Sequence, residues 1–369
     1  MPKIDDSLRR LFSLDGWLFV SMLLLSAFGG AAVYSVDLSR SAGFVNFKKH
    51  LVVLGIGLVI YFVFALTDYA FFRATAAWWY ILALAALVLV LFLGTTVRGT
   101  TGWFRLIGFS FQPAELAKFG TVLMLGFYLS RRSRTFDNTS AFIGSLLVPA
   151  IPAFLVFVQP DFGSAVILGL CWFGTMVFLG TKKRYWAAFF MVLFAAVAVM
   201  WFFVFKDYQK NRVLTFINPK RDELGAGYNV AQSIIAVGSG KLFGRGLGFG
   251  SQSQLRFLPE AQNDFVFAVI GEELGFVGAF SVVTLFGVIF FRLLVLVRRA
   301  PDDFSSIAVC AALMILFFQF LINIGAVLGL LPVTGVPLPL ISSGGSSFIT
   351  TTALLGVAQS IYRSKRSPT

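Results

Sequence analysis

Ten long apolar runs constrain this chain more than any other feature of its sequence. Each run is close to the ~20 residues that an α-helix needs to cross a bilayer. Of the 369 residues, 58% are hydrophobic and only 13% are charged, whereas about one quarter are charged in soluble domains. The sequence therefore predicts an all-α, polytopic membrane protein that forms a single membrane-embedded domain over residues 1–369. The predicted spans are 17–36, 47–66, 74–95, 112–130, 140–158, 162–180, 185–205, 274–295, 304–326 and 344–362.

Lys and Arg residues are distributed unequally between the two sides of this arrangement. If both termini share one side, the short loops of that side carry most of the positive charge, and cytoplasmic loops are normally enriched in these residues. We therefore expect both termini to be cytoplasmic. The net charge of +13 is spread over many inner loops and forms no single basic face, which argues against a nucleic-acid partner.

The longest segment outside the predicted spans is 206–273, between spans seven and eight. With cytoplasmic termini, this loop lies on the outer face of the membrane. It is longer than ordinary connections, which favours a functional role. Its glycine-rich part, GKLFGRGLGFG, has no Gly-Lys-Ser/Thr sequence and therefore does not match a phosphate-binding P-loop.

Ionisable residues in or beside the spans are the main functional signal, since such groups are costly in a bilayer. In FQPAELAK, Glu115 and Lys118 are three residues apart and share one side of a helix. This pair is either a structural salt bridge or part of a substrate cavity. In QPDFGSA, Asp161 either caps the following helix or belongs to a site.

The stretch FLPEAQNDFVFAVIGEELG carries Asp264, Glu272 and Glu273. One helix from Asp264 to Val297 would measure about 50 Å, too long for a hydrocarbon core of ~30 Å. We therefore expect the span to start near Leu274, with both glutamates at the outer interface and Asp264 at the mouth of the bundle. The alternative for Asp264 is an ordinary helix N-cap.

Two further segments contain candidate substrate-binding residues. The segment NIGAVLGLLPVTGVPLPLISSGGSS ends where a helix restarts, and the free N–H groups of a helix start bind anions such as phosphate. Ser342 and Ser346 are the candidates there, with a plain outer loop capped by Ser346 as the alternative. In the long loop, Lys241 and Arg245 are candidates for pyrophosphate binding, with ordinary solvated charge as the alternative.

Taken together, these segments resemble the SEDS family (shape, elongation, division and sporulation proteins) over nearly the whole chain. The matching elements are FQPAELAK, QPDFGSA, GYNVAQSIIAVGSG, GSQSQLRFLPEAQNDFVFAVIGEELG and LPVTGVPLPLISSGGSS. The sequence QSQLRFLPE is more similar to the family's elongation members than to its division members. Two features depart from the family pattern: LPEAQND at 258–264 lacks the usual histidine, and Ser-Ser-Gly-Gly at 342–345 replaces Ser-Tyr-Gly-Gly.

The resemblance implies a peptidoglycan glycosyltransferase that polymerises lipid II at the outer face of the bacterial plasma membrane during cell elongation. Asp264 matches the family's essential aspartate, Glu115 and Lys118 match its cavity pair, and Asp161 matches its QPD aspartate. The implied ligands are lipid II and lipid-linked glycan. The implied partners are a class B penicillin-binding protein and other membrane proteins of the elongation complex.

The residue types suit this chemistry. A sugar hydroxyl is a poor nucleophile, so a carboxylate that takes its proton is the minimal requirement. We expect Asp264 to be that base, or to hold a divalent cation (Mg²⁺ or Mn²⁺) that screens the pyrophosphate.

Two other classes of protein compete with this interpretation. Ten spans with intramembrane charges also describe a flippase or secondary carrier for a lipid-linked precursor. A carrier needs polar groups near the midplane, whereas the groups described above gather at the predicted outer ends. A scaffold that only organises a penicillin-binding protein would not need Asp264.

Overall fold

The computed structural model describes residues 14–39, 43–97, 100–106, 109–132, 139–203, 210, 226–258 and 260–364. Both basic termini, the last two residues of predicted span seven (204–205), and residues 206–209 and 211–225 of the predicted long loop lie outside the described residues. Each predicted span overlaps an α-helix. The helices are α1 (Gly16–Leu38), α2 (Val45–Leu66), α3 (Tyr69–Leu93), α4 (Pro113–Ser130), α5 (Thr139–Val158), α6 (Phe162–Phe178), α7 (Lys183–Phe203), α8 (Ala226–Ser239), α9 (Ser251–Gln254), α10 (Val266–Arg298), α11 (Asp303–Val327) and α12 (Gly345–Ser364).

Six of these helices are long and apolar enough to cross a membrane: α1, α2, α3, α5, α10 and α11. The apolar helix α6 is shorter. The helices α4 and α12 are more polar, and most of their residues are buried by neighbouring helices. An interior helix needs no apolar surface toward lipid, so its sequence can be less hydrophobic. The chain is therefore an integral membrane protein of mainly helical fold.

Small residues bring the interior helices close to their neighbours. A Cβ atom at Gly120 of α4 would lie 3.1 Å from the Cα atom of Tyr80 in α3. One at Gly356 of α12 would lie 2.8 Å from the carbonyl oxygen of Tyr61 in α2. Close approach through small residues is the usual way in which helices pack inside membranes.

A small antiparallel sheet departs from the all-α prediction. Its strands are β1 (Thr95–Val97), β2 (Thr100–Leu106) and β3 (Phe109–Phe111), in the order β1-β2-β3. Phe104 lies opposite Phe111, and Leu106 lies opposite Phe109. Two of these strands, β1 and β3, have only three residues, which is too short to show an alternating pattern, and most of the sheet lies between the predicted spans 74–95 and 112–130. The last strand leads directly into α4.

The helix α10 has 33 residues but is broken at Gly275. This glycine has φ 66° and ψ −162°, a conformation that is essentially restricted to glycine. The loop that follows α8 fills the break, because the N–H of Phe276 donates to the carbonyl oxygen of Lys241 at 2.8 Å. The break lies one residue after Leu274, where the length argument placed the start of the span.

Candidate functional site

Asp264 lies in the turn before α10, at a small groove where three stretches of chain meet. The first stretch leads into α10, the second is the last part of α11, and the third is the segment that follows α11. The residues that line the groove are Asp264, Phe265, Ile322, Asn323, Ala326, Val333, Thr334, Gly335 and Val336.

Asn323 holds this junction together. Its Nδ2 atom donates hydrogen bonds to the backbone oxygens of Asp264 and Val336, both at 2.9 Å. Both acceptors are carbonyl oxygens, so they fix which side of the amide carries the nitrogen. The residue is only 3% exposed, and its Oδ1 atom has no hydrogen-bond partner among the described residues. The sequence marks Asn323 as a polar residue near the end of a span but does not place it among the substrate-binding candidates, because an amide at a helix end gives no specific signal.

Ser342 and Ser343 fasten the residues before Asp264. The Ser342 hydroxyl donates to the backbone oxygen of Asn263 at 2.6 Å. The Ser343 N–H donates to the backbone oxygen of Gln262 at 3.0 Å, and its hydroxyl donates to Oδ1 of Asn263. Ser342 is therefore engaged with protein groups, and its substrate-binding role stays a prediction.

A second set of hydrogen bonds joins the start of α4 to α6 and α12. The Nε2 atom of Gln112 donates to Oδ2 of Asp161 at 2.9 Å, while its backbone N–H donates to Oγ of Ser346 at 3.0 Å. The other oxygen of Asp161 accepts from the N–H of Ser164 at 3.0 Å. Asp161 thus caps α6, as its alternative interpretation held, and also contacts Gln112.

These contacts reach the Asp264 groove through α6. A Cβ atom at Gly163 would lie 2.7 Å from the carbonyl oxygen of Thr334 and 2.8 Å from Cγ2 of Val336. The first turn of α6 therefore packs directly on the segment that lines the groove. The predicted site residues that share this connected set of contacts are Asp161, Asp264, Ser342 and Ser346.

Glu115 and Lys118 form a buried ion pair on the first turns of α4. Nζ of Lys118 lies 2.7 Å from Oε1 of Glu115, and the two residues are 0% and 1% exposed. Burying either charge alone would cost several kcal/mol, so each needs the other. The geometry fits the structural interpretation, and the substrate-cavity role stays a prediction. The pair starts three residues after Gln112, the residue that contacts Asp161.

Lys241 and Arg245 line a different cavity. Residues 239–245 form this open cavity of about 660 Å³, and its lining has no residue in common with the Asp264 groove. Both side chains are exposed, and Nη1 of Arg245 donates to Oγ of Ser251 at 3.0 Å. Because this cavity is separate from the Asp264 groove, the structure does not link Lys241 and Arg245 to Asp264. Their role in pyrophosphate binding stays a prediction.

Glu272 and Glu273 are both buried within the protein, and their predicted position at the outer interface stays a prediction. Oε1 of Glu272 accepts from the N–H of Gln252 at 2.7 Å, and its Oε2 accepts from the N–H of Ser253 at 3.1 Å. Oε1 of Glu273 accepts from the hydroxyls of Ser35 and Ser253, at 2.5 and 3.2 Å. Oε2 of Glu273 has no partner among the described residues. The two glutamates thus hold the preceding loop against α10 and α1.

Nearly the whole chain matches one protein family. Residues 15–367 match the family model of FtsW, RodA and SpoVE, described as "Cell cycle protein". The chain is 35% identical over 355 residues to the peptidoglycan glycosyltransferase MrdB of Escherichia coli (strain K12), covering 96% of this chain and 94% of that protein. It is 33% identical over 357 residues to the probable peptidoglycan glycosyltransferase FtsW of Coxiella burnetii, covering 94% and 95%.

Two solved structures share the fold. One belongs to a study of the structural coordination of polymerization and crosslinking by a peptidoglycan synthase complex, with TM-score 0.81, 29% identity, and coverage of 96% of this chain and 99% of that chain. The other is the rod shape determining protein RodA of Thermus thermophilus, with TM-score 0.71, 28% identity, and coverage of 96% and 98%. The family match, the relatives and the shared fold agree, and the chain belongs to the cell cycle protein family of FtsW, RodA and SpoVE, which is the SEDS family.

Proposed function

We propose that this chain is a peptidoglycan glycosyltransferase that polymerises lipid II into glycan strands at the outer face of the bacterial plasma membrane during cell elongation. The observation that carries the proposal is Asp264, a carboxylate at a groove that three stretches of chain build in a membrane protein. The relatives whose names give this activity match nearly the full length of the chain.

The proposal includes ten spans in a single domain, cytoplasmic termini, and an outer loop over 206–273. The helix directions support this arrangement. The helices α4, α6, α10 and α12 all begin beside the site and end at or shortly before basic residues. Positive charge marks the cytoplasmic side, so the Asp264 end faces outward. The basic residues at the other end are Arg131, Arg132, Lys182, Lys183, Arg184, Arg298, Arg299 and Arg363.

In the proposed reaction, the 4-hydroxyl of one lipid-linked disaccharide attacks the anomeric carbon of another saccharide. A new carbon–oxygen bond forms, and the bond from that carbon to the lipid pyrophosphate breaks with its electron pair going to the pyrophosphate. Asp264 takes the hydroxyl proton as general base, or serves as ligand to a divalent cation, Mg²⁺ or Mn²⁺. When bound, such a cation would neutralise charge on the leaving pyrophosphate. The hydrogen bonds from Asn323 and Ser342 hold the backbone around Asp264 in place before substrate arrives.

The remaining candidates are proposed to bind substrate. Lys118 is suited to hold a phosphate as a point charge, with Glu115 fixing its position. Asp161 and Ser346 lie in the hydrogen-bonded set that adjoins the groove, and Ser342 contacts the residue before Asp264. Lys241 and Arg245 belong to the separate outer cavity, where they are proposed to meet a lipid pyrophosphate.

The proposed partner is a class B penicillin-binding protein, together with other membrane proteins of the elongation complex. Glycosyl transfer lengthens strands but forms no crosslinks, so a transpeptidase must supply that step. One structural neighbour comes from a complex that combines polymerization with crosslinking, which supports this pairing.

The test is polymerisation of purified lipid II by the full chain, with and without the partner and with a chelator. Asp264→Ala and Asp264→Asn variants that unfold thermally like the wild type are expected to polymerise lipid II at least about 10²-fold more slowly. Wild-type rates in both variants would remove Asp264 from the mechanism. Movement of lipid II across a liposome bilayer without any glycan product would instead indicate the carrier.

A further inference from the structure

Two buried polar atoms in the Asp264 groove lack a hydrogen-bond partner among the described residues. They are Oδ1 of Asn323 and Oγ1 of Thr334, and both residues line the groove together with Asp264. Buried polar atoms in folded proteins nearly always have a partner, so each exception requires an explanation such as a water, an ion or a ligand. Here the two exceptions lie beside the candidate catalytic carboxylate.

The hydrogen bonds of the Nδ2 atom set the orientation of the Asn323 amide. Its Nδ2 atom already donates to the backbone oxygens of Asp264 and Val336, so the oxygen has to occupy the remaining position. An amide oxygen accepts hydrogen bonds or binds cations, and it cannot donate. Asn323, Thr334 and Asp264 therefore contribute an amide oxygen, a hydroxyl oxygen and a carboxylate to one groove, from three different stretches of chain.

The space in the groove fits one small species. Its volume is about 10 Å³, close to the minimum that one water molecule needs and far too small for a sugar ring. Gly335 adjoins this space, since a Cβ atom there would lie at van der Waals distance, 3.9 Å, from Oδ2 of Asp264. Gly335 also has φ +74°, which disfavours any other residue at this position.

The kind of oxygen ligands indicates which ions fit. In the part of the chain that the structure describes, no three His, Cys, Asp or Glu side chains are arranged to hold a metal. A site with one carboxylate and two neutral oxygens does not suit zinc, which takes nitrogen and sulfur ligands. It suits Mg²⁺ or Mn²⁺, since such hard cations bind through one or two carboxylates and complete their shell with water and substrate phosphates.

We propose that Asp264, Asn323 and Thr334 form a site for a divalent cation of the Mg²⁺ and Mn²⁺ class. Oδ1 of Asn323 and Oγ1 of Thr334 act as direct ligands beside the Asp264 carboxylate. Asn323 then has two tasks, because one half of its amide positions the Asp264 backbone and the other half binds the ion. The assignment rests on the proposed function in one respect: the open coordination positions are those that a lipid-linked pyrophosphate would fill.

The test measures Mn²⁺ binding to the purified full chain in detergent, without substrate, from the electron paramagnetic resonance signal of the free ion. We expect one saturable site in the wild type. Asp264→Asn, which removes the charge, and Thr334→Val, which removes the hydroxyl at similar volume, should each weaken binding about tenfold or more. Thr334→Ser keeps the hydroxyl and should bind like the wild type. Asp303→Asn should also bind like the wild type, because Asp303 lies at the opposite end of α11, roughly 30 Å from Asn323.

Three results would overturn the cation site: no saturable Mn²⁺ binding in the wild type, unchanged affinity in Thr334→Val, or equal losses in Thr334→Val and Thr334→Ser. The experiments also distinguish failure of the cation site from failure of the proposed function. If Asp264→Asn stops polymerisation but binds Mn²⁺ normally, the function stands and the cation site falls. If Mn²⁺ binding responds as expected but the wild type never polymerises lipid II, the cation site stands and the function falls.

Discussion

Asp264 and Glu272 lie eight residues apart in the same acidic stretch, yet their surroundings differ. Both carboxylate oxygens of Glu272 accept backbone N–H groups from the loop that they hold in place. Asp264 lines a groove beside Oδ1 of Asn323 and Oγ1 of Thr334, two oxygens without a partner among the described residues. A carboxylate whose acceptor positions are filled by the backbone contributes to stability. One that borders incompletely satisfied polar atoms is placed to meet a ligand.

The largest effect is expected at Asp264. Asp264→Asn should lower the rate of lipid II polymerisation by about 10²- to 10⁴-fold, the usual contribution of a general acid or base. The midpoint of thermal unfolding should fall by a few degrees at most, since Asn has nearly the same volume as Asp and the backbone contact from Asn323 to residue 264 is retained. If the variant instead unfolded at a clearly lower temperature with normal activity, Asp264 would be a structural carboxylate like Glu272.

The next largest effect is expected at the buried ion pair of α4. Lys118→Met leaves the Glu115 carboxylate buried without its cation, which should reduce the free energy of unfolding by about 3–5 kcal/mol. Adding Glu115→Gln removes the unpaired charge and should restore most of this loss. Thermal unfolding in detergent measures both changes.

The double variant at Glu115 and Lys118 also separates the two interpretations of the pair. If it is stable but makes no glycan, the pair serves the substrate as well as the fold. If it is stable and active, the pair is structural. A double variant as unstable as Lys118→Met alone would contradict the charge argument.

A smaller effect is expected at Glu272. Glu272→Ala leaves two backbone N–H groups without their acceptor and should cost about 2 kcal/mol of unfolding free energy. Glu272→Gln keeps one acceptor oxygen and should cost less. Polymerisation per folded molecule should stay near the wild-type rate in both. A severe loss of activity in stable Glu272→Gln protein would place this carboxylate in the reaction and end its contrast with Asp264.

The smallest effect is expected at Ser342. Ser342→Ala removes the hydrogen bond to the backbone of Asn263, worth about 1 kcal/mol, which corresponds to roughly a fivefold lower rate. If Ser342 positions the segment before Asp264, kcat falls and KM is unchanged. If it binds substrate directly, KM rises. Thr284→Ala is the control, because the Thr284 hydroxyl donates to a carbonyl of its own helix and is expected to leave both constants unchanged.

Much of the framework could be predicted from the sequence, because it depends on local and additive properties. Apolar runs gave the helix positions, and the length of the run after Asp264 predicted an interruption near Leu274, one residue from the break at Gly275. Asp161 as a helix cap follows from its place before α6. These inferences need only neighbouring residues and the dimensions of a helix.

What the sequence could not supply depends on contacts between distant segments. Nothing near Asn323 indicates that it bonds to Asp264, which is 59 residues away in the chain. Lys241 and Arg245 looked equivalent to other outer candidates until the structure placed them at a separate cavity. The burial of Glu272 is equally non-local, because its partners belong to the loop before α10.

The break at Gly275 determines whether the backbone groups of α10 need water as a hydrogen-bond partner. The N–H of Phe276 donates to the carbonyl oxygen of Lys241 at 2.8 Å, and the N–H of Arg245 donates to that of Glu272 at 3.0 Å. Interrupted helices persist at membrane depth where other parts of the protein satisfy the freed backbone groups. Since these amides are satisfied internally, the interruption needs no water to complete their hydrogen bonds.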